Sequence, residues 1–440
     1  MSDLFIHGGR CVGHDGPQPG SVLIRDGRIA AVGADLDAPE GVATLDATGK
    51  LVLPGMIDPQ VHFREPGLER KEDLESGSRA AVAGGVTAFM EMPNTKPPTV
   101  TKEALADKFE RAAGRAWGDH GFFVGATADN ADHLGELERL PGCAGVKMFM
   151  GSSTGGLLVR DDATVERVLR SGSKRVTVHS EDEDILEANY KALGRDVPVT
   201  EHPNVRSVEA AVRCTTRLLN LAEKTGRPVH VLHISTAEEV DLFVERDLGD
   251  LVTFEVTPNH VFLHGPDCYE EHGSWAQMNP PVRDVRHRDR LREALATGLA
   301  ACIGSDHAPH REEEKANPYP QSPSGIPGVQ TTLTLLLTAI RDGWLQWTDV
   351  LRLCNEGPRR VYGIRDKGLL ETGVHGDVAI VDPDRTGPLS ADWLESQSPC
   401  NPFIGRELAG LPVTTIVRGN VVYDDGKTVG SALGAPLTFG

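Results

Sequence analysis

The sequence predicts an α/β fold: a (β/α)8 barrel of the TIM type carrying a small β-sandwich domain built from both chain termini. Three observations lead there. Short apolar runs alternate with amphipathic stretches through the middle of the chain, eight such runs can be counted, and the two chain ends are strand-rich where the middle is not. In barrels of this kind the active site forms at the C-terminal ends of the strands.

At the N-terminus, residues 4–6, 21–24 and 28–32 are short β-type runs separated by Gly-rich turns. Asp26-Gly27 is a strong hairpin signal, because a tight turn there needs positive φ. A matching set lies at 377–381, 414–418 and 420–423, closed by Asp424-Asp425-Gly426. Pairing the two ends gives one sheet domain from residues 1–53 plus 372–440 and leaves 54–371 as the barrel.

The first barrel run, 51–57, breaks into Gln60-Val61-His62-Phe63-Arg64-Glu65-Pro66-Gly67, as a buried strand does when it enters a loop. Side chains alternate along a strand, so Gln60, His62 and Arg64 share one face if the strand continues that far. The remaining runs are 85–90, 121–125, 145–150, 175–178, 229–233, 252–256 and 300–304. Helical spacing marks 102–116, 208–224, 236–246 and 288–297 between them. Residues 318–328 hold four prolines and two glycines without periodicity, the composition of a lid or a surface linker.

Four of the runs end in ligand chemistry, at His62, His179, His233 and Asp306. A lone His-x-Arg reads as a core histidine beside an ion-pair partner. Four such ends in one barrel instead point to a divalent metal centre, since imidazole and carboxylate are the usual ligands of zinc and are gathered from separate elements. A metal at a barrel mouth implies hydrolysis by activated water. His230 and His307 alternate away from His233 and Asp306, which predicts structural roles, with His230 facing the helix layer. His260, His264, His272 and His287 lack strand-end placement and are given none.

The 440 residues carry a formal net charge of −19, which argues against a nucleic-acid or anionic-membrane partner. Seven scattered cysteines, odd in number and without Cys-x-x-Cys, indicate reduced thiols and a cytoplasmic protein, with Cys302 as core filler. The first ten residues lack signal-peptide character, and no apolar run approaches a membrane span.

With these residues in hand, the chain resembles the dihydroorotases of the cyclic amidohydrolase superfamily. The matching motifs are His62-Phe63-Arg64-Glu65-Pro66-Gly67, Met92-Pro93-Asn94-Thr95, Gly145-Val146-Lys147, His179, His233, Met278-Asn279-Pro280-Pro281, Ser305-Asp306-His307-Ala308-Pro309-His310 and Asn401-Pro402-Phe403. They run through nearly the whole chain in family order.

The resemblance implies that His62 and Asp306 hold one metal, that His179 and His233 hold another, and that a carboxylated Lys147 bridges them. It also implies one or two Zn2+ ions per chain and a small-molecule substrate. The reaction would be the interconversion of N-carbamoyl-L-aspartate and L-dihydroorotate in pyrimidine synthesis. Asp306 would carry the proton, Arg64, Asn94 and His310 would bind the substrate carboxylate, and Asn279 would contact the ring. A homodimer and an aspartate transcarbamoylase partner are further implications.

One position departs from the pattern. The family has His-x-His where this chain has Gln60, and an amide oxygen is a poorer zinc ligand, so the first metal should be weaker, displaced or absent. Two alternatives follow: a dihydropyrimidinase, hydantoinase or allantoinase, which does not require Arg64 with Asn94, and a non-catalytic scaffold, against which the retained ligands speak.

Overall fold

The computed structural model describes residues 3–152, 157–194 and 197–440. Its centre is an eight-stranded sheet that runs in chain order through Met56–Val61, Val86–Glu91, Asp119–Gly125, Cys143–Phe149, Val176–His179, Val229–Val231, Val252–Val256 and Cys302–Ile303. Each strand pairs in parallel with the next. The parallel bridge between Val61 and His307 joins last to first, with the His62 N–H donating to His307 O at 2.8 Å. Every residue of these strands is buried, which is why they read as continuous apolar runs rather than alternating ones.

The barrel has two apolar layers. Val229 and Val231 join the large core shared with Cys214 and Leu218 of the helix Val208–Thr225. Ile57, Ala88, Met90, Phe123 and Cys302 form a separate inner cluster with Tyr362, Leu437 and Phe439. The chain end reaches this floor because the His120 N–H donates to Ala435 O and the Leu437 N–H to His120 O.

Helix boundaries follow their caps. Ser207 and Thr236 accept from the backbone of Ala210 and Glu239, starting the helices Val208–Thr225 and Ala237–Arg246 where the spacing predicts. Each such cap stabilises by about 1 kcal/mol. Asp284 caps Val285–Ala296, so that helix begins three residues before the predicted 288. Lys102–Ala112 stops short of 116, since Ala113 is extended and Gly114 has a φ of 71°.

The run 51–57 is not one strand. Leu51–Pro54 lies in a nine-stranded sheet between Leu4–Gly13 and Val378–Asp382, and only Met56–Val61 enters the barrel. Gly55 marks the crossover, where a Cβ would collide with Thr87. The nine strands come from both termini, as the pairing of chain ends predicts. Asp26 and Gly27, with φ of 48° and 74°, turn the hairpin between Gly16–Arg25 and Arg28–Gly33.

A stretch beyond the C-terminal strands' first member returns to the barrel: Phe403 and Leu408 join its core, Ser398 Oγ donates to His310 O at 2.7 Å, and Asn401 Nδ2 donates to Pro327 O at 3.0 Å. Among the described residues all seven cysteines are free, and no helix is long and apolar enough to cross a membrane.

Candidate active site

Gln60, His62, Lys147, His179, His233, Asn279 and Asp306 line one cleft at the C-terminal ends of the barrel strands. At its first edge, His62 Nδ1 lies 2.8 Å from Asn94 Oδ1, which can only accept, so Nδ1 carries the proton. His62 Nε2 is then a lone pair, and it faces Asp306 Oδ1 at 3.2 Å. Burial lowers the pKa of His62, keeping the ring neutral. Two acceptors facing each other without a proton fit a cation between them. Gln60 Nε2 donates to the same Asp306 oxygen at 3.0 Å, while Gln60 Oε1 is buried with no hydrogen bond among the described residues.

The second edge is built from His179 and His233. His179 Nδ1 lies 3.1 Å from His233 Nε2, a separation that two imidazole ligands of one tetrahedral ion would show. Glu181 Oε2 stands 2.9 Å from His179 Nε2, at ion-pair distance though off the line of a hydrogen bond. As an acceptor-only neighbour it favours the proton on Nε2 and leaves Nδ1 as the ligand atom, the carboxylate–histidine arrangement of metal sites. Arg206, itself buried, pairs with Glu181 from behind and holds its carboxyl far below the usual range despite burial. Lys147 Nζ has no hydrogen-bond partner among the described residues and sits 4.5 Å from the centre of the Phe149 ring. Burial pushes its pKa down to about 7.

These observations test whether the residues fit a metal, and they do. Facing lone pairs, a buried unpartnered amine and an imidazole–carboxylate donor set are the chemistry of a divalent site. A deeper group, His230, Glu255 and Cys302, also brings ligand-type atoms within 4.8 Å of one another. There burial raises the Glu255 pKa above the carboxylate range, and its carboxyl meets His230 Nε2 at 3.2 Å. His230 Nδ1 meets Thr253 Oγ1 at 2.8 Å. His230 therefore joins residues of the barrel interior rather than the helix layer. The parity argument fails because the backbone turns at His233, whose φ is 37°, so alternation does not carry from 230 to 233.

Arg64 leaves the strand with a φ of 68°, so it does not continue the Gln60–His62 alternation. The turn buries its guanidinium, with Nε donating to Pro309 O at 3.2 Å and Nη2 lying 3.3 Å from His310 Nε2. Met92-Pro93-Asn94 is anchored by the fully buried Lys108, which pairs with Glu91 at 2.6 Å and donates to Met92 O at 3.3 Å. Asn279 is flanked by His202 Nε2, donating to Met278 O at 2.9 Å, and His260 Nε2, donating to Pro280 O at 3.0 Å. His307 accepts backbone N–H groups from Gly328 and Val329 at Nδ1, a packing role that parity does not decide, since Asp306 has a φ of 48° and lies beyond the strand.

The stretch 318–328 is tied down rather than free. Gln277 donates to Ser322 O and Ser324 Oγ, the Gly325 N–H donates to Gln277 O, and the buried Lys315 donates to Gln277 O and Pro323 O. Sequence reasoning missed Glu181, Gln277 and Lys315. Glu181, two residues after a strand-end histidine, carried a usable signal, while the other two are defined only by tertiary contact.

A family model described as the amidohydrolase family matches residues 51–422. The chain belongs to this family. It is a hydrolase acting on cyclic amides, in a family that is generally metal-dependent. It is 36% identical over 438 residues to a dihydroorotase of Methanosarcina mazei, covering 96% of this chain and 94% of that one. With a dihydroorotase of Halobacterium salinarum it is 37% identical over 405 residues, covering 91% and 92%. The L-hydantoinase (dihydropyrimidinase) of Arthrobacter aurescens shares the fold with a TM-score of 0.93 at 30% identity, covering both chains fully.

Proposed function

We propose that the chain interconverts L-dihydroorotate and N-carbamoyl-L-aspartate, opening and closing one cyclic amide bond. The observation that carries this reading is the buried Arg64 guanidinium, whose Nη2 lies 3.3 Å from His310 Nε2, a ring that also meets Ser324 of the cleft lining. A buried guanidinium there suits a ring that bears a carboxylate, which it can bind through paired hydrogen bonds. Hydantoin and dihydrouracil carry no such group. The dihydroorotase relatives support the same choice.

The residues that would hold zinc are His62 with Asp306, His179 with His233, and Lys147 as its carbamate, with Gln60 a weak or lost ligand. When bound, one or two such ions supply an activated water and a polarised carbonyl. Lys147 would form the carbamate through its neutral amine adding to carbon dioxide with loss of one proton, and its Nζ, buried and without a hydrogen-bond partner among the described residues, supports this. Asp306 takes a proton from the attacking water and returns it to the leaving amide nitrogen, as general base and then acid. Arg64, Asn94 and His310 hold the substrate carboxylate, and Asn279 meets the ring edge. The low dielectric of the buried site strengthens each of these contacts.

The division into 1–53 plus 372–440 and 54–371, a cytoplasmic location, a homodimer and an aspartate transcarbamoylase partner belong to the same proposal. Chromatographic detection of N-carbamoyl-L-aspartate formed from L-dihydroorotate by the purified, zinc-reconstituted chain tests the activity. Absence of product in both directions would refute it.

A further inference from the structure

His310 is bracketed by neighbours of opposite hydrogen-bonding character. Its Nδ1 lies 3.0 Å from Lys71 Nζ, and its Nε2 lies 3.0 Å from the carbonyl oxygen of Ser324. An ammonium can only donate and a carbonyl can only accept, so both contacts select the same neutral tautomer, bare at Nδ1 and protonated at Nε2. The ring is buried, and burial together with Arg64, Lys71 and Lys315 pushes its pKa down to about 3, against a raising contribution from Glu314.

The chosen tautomer has a consequence at the other face. Arg64 Nη2 stands 3.3 Å from His310 Nε2, and both are then donors. The Nε2 proton is given to Ser324 O, so the ring offers Arg64 no lone pair and the guanidinium is left for an acceptor from outside the pair. Glu314 supplies the competing arrangement. Its Oε2 lies 3.8 Å from His310 Nδ1 and 3.1 Å from Lys71 Nζ, so the ammonium stands between the carboxylate and the ring. Without that ammonium, Nδ1 could carry the proton toward Glu314, and Nε2 would become an acceptor that ties up Arg64.

We propose that Lys71 is a positioning residue that sets the His310 tautomer, so that His310 Nε2 cannot accept from Arg64 and the guanidinium beside it stays available to the substrate carboxylate. The proposal rests on the carboxylate-binding reading above and adds the residue that prepares that site. Lys71 acts through His310, so its effect should fall on KM rather than on kcat.

Selective 15N labelling of histidine reads the tautomer directly, with His310→Gln assigning the signal. The wild-type chain should show the Nε2–H form, and Lys71→Met should shift it toward Nδ1–H. KM for L-dihydroorotate should rise about ten-fold in Lys71→Met, the loss of one hydrogen bond to a charged group, with kcat changed less than about two-fold. Lys71→Arg, which keeps a donor cation, should retain the Nε2–H form and most of the affinity. A Lys71→Met protein that keeps the Nε2–H form, or binds L-dihydroorotate as wild type does, overturns the proposal. Dihydrouracil separates the two levels: a tautomer shift that raises KM equally for this carboxylate-free ring would overturn the carboxylate site and leave the tautomer assignment standing.

Discussion

His62 Nε2 faces Asp306 Oδ1 across 3.2 Å, and neither atom brings a proton to the contact. His62 spends its only ring proton on Asn94, which ties one edge of the candidate metal site to a residue of the proposed substrate site. Gln60 fills part of the gap by donating to the same carboxylate oxygen at 3.0 Å.

That arrangement makes Gln60 the position at which metal affinity should respond. Gln60→His replaces an amide donor to Asp306 with an imidazole lone pair, so metal retained per chain after dialysis against a mild chelator should rise. Elemental analysis checks it. Wild-type protein that already keeps two ions, with no gain in the variant, would show that the first site is complete without a second imidazole.

Asp306→Asn should lower kcat by about 100-fold or more while leaving the fold and metal at the His179–His233 edge in place, because an amide cannot carry the proton. Steady-state kinetics with metal analysis on the same sample reads both. A near-normal kcat would remove Asp306 from the proton-transfer role.

The buried histidines predict acid lability. His202 and His260 have pKa values pushed down to about 3 and about 4 by burial, against an ordinary 6.5. Between those values the unfolded chain binds protons that the folded chain does not, so the stabilisation is complete above pH 6.5 and is lost as pH falls toward 4. Each histidine contributes a slope of at most about 1.4 kcal/mol per pH unit in that window. Thermal melts from pH 7.5 to 4.5 should show a falling Tm, with a shallower fall in His260→Gln. Equal slopes in the two proteins would contradict the assignment for His260.

Glu181→Gln should destabilise the protein, since it strips the buried Arg206 of its carboxylate, and loss of one partner from a buried pair costs about 3–5 kcal/mol. It should also weaken metal retention at the His179–His233 edge, where Glu181 favours the proton on His179 Nε2. Denaturant unfolding and metal content are the two readouts. Unchanged metal retention would reduce Glu181 to a structural role.

Much of this architecture was legible because parallel barrel strands, buried on both faces, leave continuous apolar runs, and because their ends break into ligand residues. Gln60, His62, Lys147, His179, His233 and Asp306 line one cleft, four of them from strand ends and Lys147 at a position only the family motif marked. What escaped was governed by backbone turns and distant partners. The positive φ at Arg64 and His233 breaks the alternation on which parity depends. The crossover at Gly55 divides one apolar run between two sheets, and nothing in its composition marks the seam. Lys71 meets His310 across 239 positions of sequence, a pairing that only folding brings about.

The central claim is that the site is built for a ring bearing a carboxylate, with Arg64 as the recognition group. The most direct measurement compares kcat/KM for L-dihydroorotate and dihydrouracil in the zinc-reconstituted wild-type chain and in Arg64→Lys. The wild-type chain should prefer L-dihydroorotate strongly, and Arg64→Lys should lose about 10- to 100-fold on it while dihydrouracil hydrolysis stays nearly unchanged, because a point charge cannot reproduce the paired hydrogen bonds of a guanidinium. Wild-type protein that hydrolyses dihydrouracil as well as L-dihydroorotate, with equal losses on both in the variant, would contradict the account and assign the chain to the hydantoinase-type activity of its structural neighbours.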